Sequence, residues 1–177
     1  MKKILSEFRL YLCNNWVNKI PSHFIRISFY KSVMRFKIGN GSSIFLHCTF
    51  DCAGNFKMGD SSVINSNCKL DNRGGISIGN NVSISSDSII LTADHDITTF
   101  NLAGRSRKVV IEEFVWIGTR ALIMPGVVIY KGGIIGAGSV ITKNVQSFTI
   151  VAGIPGKIIK ERRTDLDYTS NYKRLFH

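Results

Sequence analysis

His95 is the residue whose type and surroundings could most directly do chemistry. It stands between Asp94 and Asp96, within a segment that interrupts an otherwise regular repeat. An imidazole titrates near neutral pH, so it can take a proton from a hydroxyl group as that group attacks a carbonyl carbon. Either carboxylate could orient the ring or raise its basicity, and both could equally be solvated loop acids. A lone loop histidine usually has no such role, so the case for His95 depends on the elements around it.

A six-residue repeat runs along the chain on both sides of that segment. Large apolar residues recur at every sixth position within each block. The first three blocks begin 20 residues apart, and the later ones follow at 18. The repeat positions are 38, 44 and 50; 58, 64 and 70; 78, 84 and 90; and then 111, 117, 123, 129, 135 and 141.

Small or β-branched residues stand four places after these apolar positions, an alternation that suits a solenoid with a narrow interior. Three hexads per turn predict a three-sided coil with a short strand on each face. Neighbouring coils would then pair as parallel strands about 4.8 Å apart. The 20-residue spacing stacks Ser42 over Ser62 and Cys48 over Cys68.

The step from position 90 to position 111 is 21 residues, where unbroken hexads would give 18. We therefore expect residues 91–110 to leave the coil as a loop, and loops on rigid scaffolds often carry function. The chain divides into a helical segment (1–37), a β-solenoid (38–156) and a short C-terminal helix or loose tail (157–177).

The net charge of +11 belongs mainly to the two ends. Residues 1–37 carry +7, the solenoid +1 and residues 157–177 +3. Residues 2–19 and 22–35 have helical apolar spacing, so they either cap the open first coil or rest on an anionic membrane surface through residues 1–35. The charge comes without a DNA-reading module, so no nucleic-acid partner is expected.

The four cysteines form no CxxC pair, and no apolar stretch reaches signal or membrane-spanning length. The simplest interpretation is a cytoplasmic protein with free thiols. A cytoplasmic protein could also contact the inner face of the cytoplasmic membrane. No metal is expected, because the weak pattern His47–Cys48–x3–Cys52 places Cys48 in an inward slot.

Three motifs complete the repeat: VWIGTRALIMPGV (115–127), GAGSVITK (136–143) and VAGIPGK (151–157). With the hexads, they resemble the hexapeptide-repeat acyltransferases, in particular galactoside, maltose and related polysaccharide O-acetyltransferases. The resemblance covers about two-thirds of the chain. It implies a mainly β fold, a left-handed parallel β-helix, and a homotrimer with the active site between subunits.

The resemblance also implies roles for residues around the break. Aligning SIGNNV (77–82) with the family's equivalent coil places the catalytic general base on His95 without a gap. Relatives with an acid directly after the histidine make Asp96 the better orienting candidate. Asn65 aligns with a residue that contacts the acceptor sugar, and the Thr119 N–H with the oxyanion donor.

One departure concerns the acceptor, because Asn72 and Arg73 stand where the family places two carboxylates. A galactoside acceptor is therefore in doubt. For the acyl donor, acetyl-CoA, the resemblance implies a groove with cations at its phosphate end. The implied contacts are Thr119, Ala137, Thr142, Lys143, Lys157 and Lys160.

The sequence thus predicts an acetyl-CoA-dependent O-acetyltransferase acting on a sugar or glycan in bacterial surface polysaccharide synthesis. Two alternatives stay open: N-acetylation of a nucleotide-linked amino sugar, and a non-catalytic scaffold at a membrane surface.

Overall fold

Two helices precede the repeat in the computed structural model, which describes residues 2–170, with side chains from residue 4 onward. They are α1 (Lys2–Asn15) and α2 (His23–Ser32), joined through a 3-10 turn at Val17–Lys19. Both fall inside the segments with helical spacing, and Pro21 lies between them. Neither is long and apolar enough to cross a membrane, and the same holds for all helical residues described.

Short strands then follow one another at the spacing of the repeat. Those before the break are β1 (Lys37–Ile38), β2 (Ser43–Ile44), β3 (Thr49–Phe50), β4 (Phe56–Met58), β5 (Val63–Ile64), β6 (Lys69–Leu70), β7 (Ile76–Ile78), β8 (Ser83–Ile84) and β9 (Ile89–Ile90). The break and the coils after it contain β10 (Ala93–His95), β11 (Gly104–Ser106), β12 (Val109–Ile111), β13 (Trp116–Ile117), β14 (Leu122–Ile123), β15 (Val128–Ile129), β16 (Ile134–Ile135), β17 (Val140–Ile141), β18 (Thr149–Gly153) and β19 (Gly156–Glu161).

These strands form three parallel sheets, one on each side of a triangular solenoid. The first sheet has the order β1-β4-β7-β12-β15, and the third has β17-β14-β9-β6-β3. The second sheet runs β2-β5-β8-β13-β16-β18 and ends with β19, which pairs antiparallel. The predicted three-sided coil with parallel pairing is confirmed.

The interior is built from the repeat positions. Every one of them, from Ile38 to Ile141, is at most 8% exposed. The predicted stacking of small residues is also confirmed, because the Ser42 hydroxyl accepts a hydrogen bond from the Ser62 N–H at 2.9 Å. In the next coil the Ser62 hydroxyl accepts from the Val82 N–H at 3.0 Å. Inward serines therefore satisfy backbone donors that the narrow core would otherwise bury unpaired.

The two helices close the open first coil. Cys13, Tyr30 and Met34 are fully buried against it. The Asn14 side-chain amide donates to the Phe50 carbonyl at 2.7 Å, and its oxygen accepts from the Phe50 N–H at 3.0 Å. Asn14 thus occupies the hydrogen-bonding edge of β3, which would otherwise be open to other strands.

The C-terminal segment differs from the expected helix or loose tail. Residues 156–161 form β19, which turns back onto β18 and extends the second sheet. Beyond it, the Arg162 guanidinium donates to the carbonyls of Phe114 and Gly132 at 2.8 and 3.0 Å. These bonds hold the segment against the solenoid. The last part of the predicted tail, residues 171–177, lies outside the described residues.

Candidate active site

The break in the repeat is a β-hairpin that projects from one edge of the solenoid. Strands β10 and β11 pair antiparallel, with His95 opposite Gly104. The hairpin leaves after β9 of the third sheet and returns at β12 of the first. The hairpin is thus an insertion between two successive coils, and it leaves their stacking undisturbed because β12 pairs directly with β7.

A backbone carbonyl sets the orientation of the His95 ring. Nδ1 lies 2.7 Å from the Leu102 carbonyl oxygen, across the hairpin. Because a carbonyl only accepts hydrogen bonds, Nδ1 must carry the hydrogen. In the neutral ring, Nε2 is then the unprotonated nitrogen. The side chain is exposed, so Nε2 is available to a substrate.

Asp96, the expected orienting residue, is bonded elsewhere. One carboxylate oxygen accepts from the Thr98 N–H and hydroxyl at 3.0 and 2.7 Å, and the other lies 3.4 Å from Arg105 Nη1. The Thr98 bonds lower the pKa of Asp96. Asp96 therefore shapes the hairpin turn, while the ring contact expected from it comes from the Leu102 carbonyl.

Asp94 fixes the hairpin strand next to His95. Arg105 donates to both of its carboxylate oxygens, at 2.6 and 3.2 Å, and Arg107 donates at 2.7 Å. The hydrogen bonds from Arg105, followed by those from Arg107, hold the pKa of Asp94 below its ordinary value. This carboxylate is consequently charged at neutral pH and acts as a clamp between the two strands.

The root of the hairpin is held by Asp71, which the sequence pattern did not single out. Its side chain is fully buried and accepts from Arg73 Nε and Nη2 at 2.8 and 3.0 Å. It also accepts from the N–H groups of Thr92 and Ala93, at 3.3 and 3.1 Å. Burial opposes ionisation of Asp71, but the bonds from Arg73 and Thr92 outweigh it and lower the pKa. The only signal in the sequence was an acid directly after an inward repeat position.

These side chains surround an open cavity of about 370 Å³. Its lining includes His95, Asp94, Arg105 and Arg73. Asn72 takes no part, because it is fully buried and its side chain bonds the backbone of residues 51, 52 and 54. Of Asn72 and Arg73, Arg73 is therefore the one that faces the cavity.

The other predicted acceptor and donor contacts lie on a different edge, between the second and third sheets. Asn65 directly follows β5 there and donates to the Ile84 carbonyl at 2.9 Å. Thr119 and Ala137 occupy equivalent places after β13 and β16, where a Cβ on Gly118 would come within 2.7 Å of the Ala137 nitrogen. This turn is tight because neighbouring coils touch through their backbones.

Among the described residues, none accepts a hydrogen bond from the Thr119 N–H, so this group is free to bond a ligand. The N–H groups on either side of it, at Gly118 and Arg120, donate to the carbonyls of Ile135 and Ser86. Thr119 is exposed and its own N–H has no such acceptor among the described residues. An exposed donor fixed by a rigid turn is the kind of group that stabilises an oxyanion.

The remaining predicted contacts divide between two places. Thr142 and Lys143 follow β17, on the edge that carries the His95 hairpin, and both are exposed. Lys157 and Lys160 are exposed on β19. The solenoid thus brings Thr119 to Ala137, but the width of the third sheet separates this pair from His95.

Among residues 2–170, no cluster of His, Cys, Asp and Glu could hold a metal ion.

A family model described as the bacterial transferase hexapeptide (six repeats) matches residues 108–143. Residues 108–143 therefore carry a hexapeptide repeat of this kind. Its fold matches that of a maltose O-acetyltransferase from Clostridium difficile 630, at 29% identity and a TM-score of 0.77, over 89% of this chain and 84% of that one. A galactoside acetyltransferase in complex with coenzyme A matches at 26% identity and a TM-score of 0.78, over 92% and 84%. The expected left-handed parallel β-helix is confirmed.

Among curated relatives, this chain is similar to a chloramphenicol acetyltransferase of Klebsiella aerogenes. The two are 45% identical over 69 residues, which is 39% of this chain and 31% of that protein. The match therefore spans about a third of the length of that relative.

Proposed function

We propose that the chain transfers acetyl from acetyl-CoA to a hydroxyl group of a sugar, with His95 as the general base. The observation that carries the proposal is the bond from Nδ1 of His95 to the Leu102 carbonyl. It leaves Nε2 as the basic nitrogen of an exposed ring beside an open, polar cavity. The likeness to maltose and galactoside acetyltransferases supports a sugar as acceptor.

In the proposed reaction, His95 Nε2 takes the proton from the acceptor hydroxyl as its oxygen attacks the acetyl carbonyl carbon. The carbonyl π electrons move onto oxygen, and an N–H donor stabilises the resulting oxyanion. Collapse of this intermediate breaks the carbon–sulfur bond. The imidazolium returns its proton to the leaving thiolate, so the products are an O-acetyl sugar and coenzyme A. No acyl-enzyme forms.

The chain is proposed to act as a homotrimer. His95 and the Thr119 N–H lie on different edges of one rigid solenoid, so one copy cannot apply both groups to the same substrate. Packing the Thr119 edge of one copy against the His95 edge of the next places a base and an oxyanion donor on either side of one groove. Asn65, on the Thr119 edge, would then face the acceptor from the neighbouring copy.

Coenzyme A is proposed to lie in this groove, along Thr119, Ala137, Thr142 and Lys143. Lys157 and Lys160 supply charge for its phosphates as point charges, without the bidentate geometry of arginine. Arg162 is occupied by backbone carbonyls. Calorimetry with acetyl-CoA tests the proposal against the scaffold alternative, because a non-catalytic scaffold would release no heat of binding.

We further propose that the protein works on surface polysaccharide precursors at the inner face of the cytoplasmic membrane. Helix α1 caps the coil on one side and is apolar on the other as well. Ile4 and Phe8 are 74% and 55% exposed, and with Tyr11 and Glu7 they line an open apolar hollow. Trp16 is 65% exposed close to the same helix. An exposed apolar patch within a segment of net charge +7 suits an anionic lipid surface.

Replacing Ile4 and Phe8 with glutamine is expected to weaken co-sedimentation with vesicles of phosphatidylglycerol and phosphatidylcholine by about tenfold or more, since a buried Phe or Ile side chain contributes about 1.5–3 kcal/mol. Ile159→Gln is the matched control, because Ile159 is 61% exposed at the other end of the chain. Wild-type binding should require the anionic lipid and weaken with salt. Binding that is independent of lipid charge, or equal in both variants, would leave α1 as a cap only.

A further inference from the structure

A second open groove lies on the first sheet and is lined by four cationic side chains. We name it the basic groove: it has a volume of about 460 Å³, and its cations are Arg35, Lys37, Lys57 and Lys108. Gly74 and Gly75 form part of its floor. None of the described residues that line it is acidic.

The positive charges of the basic groove are close together. Lys37 on β1 stands directly opposite Lys57 on β4, and adjacent parallel strands lie about 4.8 Å apart. Like charges that face each other across strands destabilise a sheet. All four cationic side chains are exposed, and none forms a salt bridge with a described residue.

The acids nearest to the groove have other partners. Asp60 lines a neighbouring hollow with Lys37 and Lys57, but its carboxylate accepts from the Asn40 N–H at 2.6 Å. Glu112 accepts from the Lys131 N–H at 2.9 Å, and Glu113 pairs with Lys131 Nζ at 2.7 Å. None of these acids lines the groove itself, so its four cations give it a positive potential that a bound anion would neutralise.

The basic groove adjoins the His95 cavity along the chain in two places. Arg73 lines the cavity and the next residue, Gly74, lines the groove. Ser106 lines the cavity, and Lys108, two residues further, lines the groove. Two residues of extended chain span about 7 Å. A ligand of moderate length can therefore reach from one to the other.

We propose that the acceptor sugar carries a diphosphate, which binds in the basic groove while the reacting hydroxyl lies at His95. This inference rests on the proposed acetyltransferase function and names the class of its acceptor. Lysine ammonium groups bind phosphate oxygens as point charges, and four cations more than balance the negative charge of a diphosphate that links a sugar to its carrier. Either a nucleoside diphosphate or a polyprenyl diphosphate would supply this chemistry.

The test measures binding of two probes, uridine diphosphate and farnesyl diphosphate, to the full chain. Saturating coenzyme A is present throughout, so that the phosphate contacts of its own site are occupied. The variant K57Q/K108Q removes two charges from the basic groove. The matched control is K69Q, because Lys69 is an exposed strand lysine of the same coil on the third sheet.

We expect K57Q/K108Q to bind at least one probe about tenfold more weakly than the wild type, and K69Q to bind as the wild type does. The affinity should fall with rising salt. If uridine diphosphate alone shows the effect, the carrier is a nucleotide; if farnesyl diphosphate alone does, it is a lipid. Equal affinities in K57Q/K108Q and K69Q, or no binding of either probe, would overturn the proposal.

Failure of the proposed function would be distinguishable from failure of this inference. His95→Ala leaves the basic groove intact, so diphosphate binding should persist in that variant. Diphosphate binding without acetyl transfer to any acceptor would contradict the proposed acetyltransferase function but support the diphosphate site in the basic groove. Acetyl transfer together with equal diphosphate affinity in both lysine variants would support the acetyltransferase and contradict the role of the basic groove.

Discussion

Replacing His95 with alanine is expected to lower kcat for acetyl transfer by about 10²–10⁴-fold, the range typical of a positioned general base. The loss should fall on kcat more than on the KM for acetyl-CoA, because the imidazole acts on the acceptor hydroxyl rather than on the coenzyme. Thiol release from acetyl-CoA in the presence of acceptor measures the rate.

The matched control for His95 is His47→Asn. His47 is also exposed, but it lies in the first coil with φ of 62°, a backbone conformation that asparagine tolerates. This control should keep full activity, and both variants should keep the wild-type oligomeric state by light scattering. Turnover retained in His95→Ala would remove the imidazole as base, whereas loss in both variants would indicate general damage to the fold.

Asp71→Ala is expected to destabilise the chain by about 3 kcal/mol and to reduce activity. The substitution leaves buried backbone donors at Thr92 and Ala93 without their acceptor, and a lost buried partner typically costs about 1–3 kcal/mol for each group, or about 3 kcal/mol in total here. The same donors anchor β10, so the His95 ring should lose its fixed position. Denaturant unfolding measures the stability, and kcat measures the position of the ring.

Asp51→Ala is the control, because Asp51 lies one coil before Asp71 and has the equivalent position. Asp51 directly follows β3, and Asp71 directly follows β6. It is half-buried, and we expect a change within about 0.5 kcal/mol. A loss of stability in Asp51→Ala as large as that in Asp71→Ala would show that the hairpin anchor has no special role.

The lowered pKa of Asp71 also predicts a pH dependence. A carboxyl whose folded pKa lies below its ordinary value of 3.8 stabilises the fold above that value. This contribution is lost as the pH falls below 3.8 and through the lowered folded pKa. The free energy of unfolding should therefore decline more steeply with acid in the wild type than in Asp71→Ala, and parallel curves would contradict the assignment.

The solenoid could be predicted in detail because its sequence signal is repeated. A six-residue period determines which side chains face inward, and the 20-residue spacing determines which residues stack. The place of the excursion followed from the same counting, because the period is lost after position 90 and resumes at position 111. Each of these inferences uses many positions, so a departure at a single position does little harm.

The internal bonding of the hairpin could not be predicted, because it depends on single side chains. The pattern does not say which partner each of Asp71, Asp94 and Asp96 bonds, yet Asp71 holds the root of the hairpin and Asp94 clamps its strands. The ring partner of His95 is a backbone carbonyl, which every residue has. The terminal hairpin was missed because β18 and β19 fall after the last hexad, where the period no longer constrains the chain.

The most direct test of the central claim follows labelled acetyl from acetyl-CoA into a panel of sugars, diphosphate-linked sugars and amino sugars. We predict label on a sugar hydroxyl as an ester that mild alkali removes, with none retained on the protein and none transferred by His95→Ala. Alkali-stable label on an amine would make the chain an N-acetyltransferase. Label retained on the protein, or bound acetyl-CoA without transfer to any acceptor, would contradict direct transfer by His95.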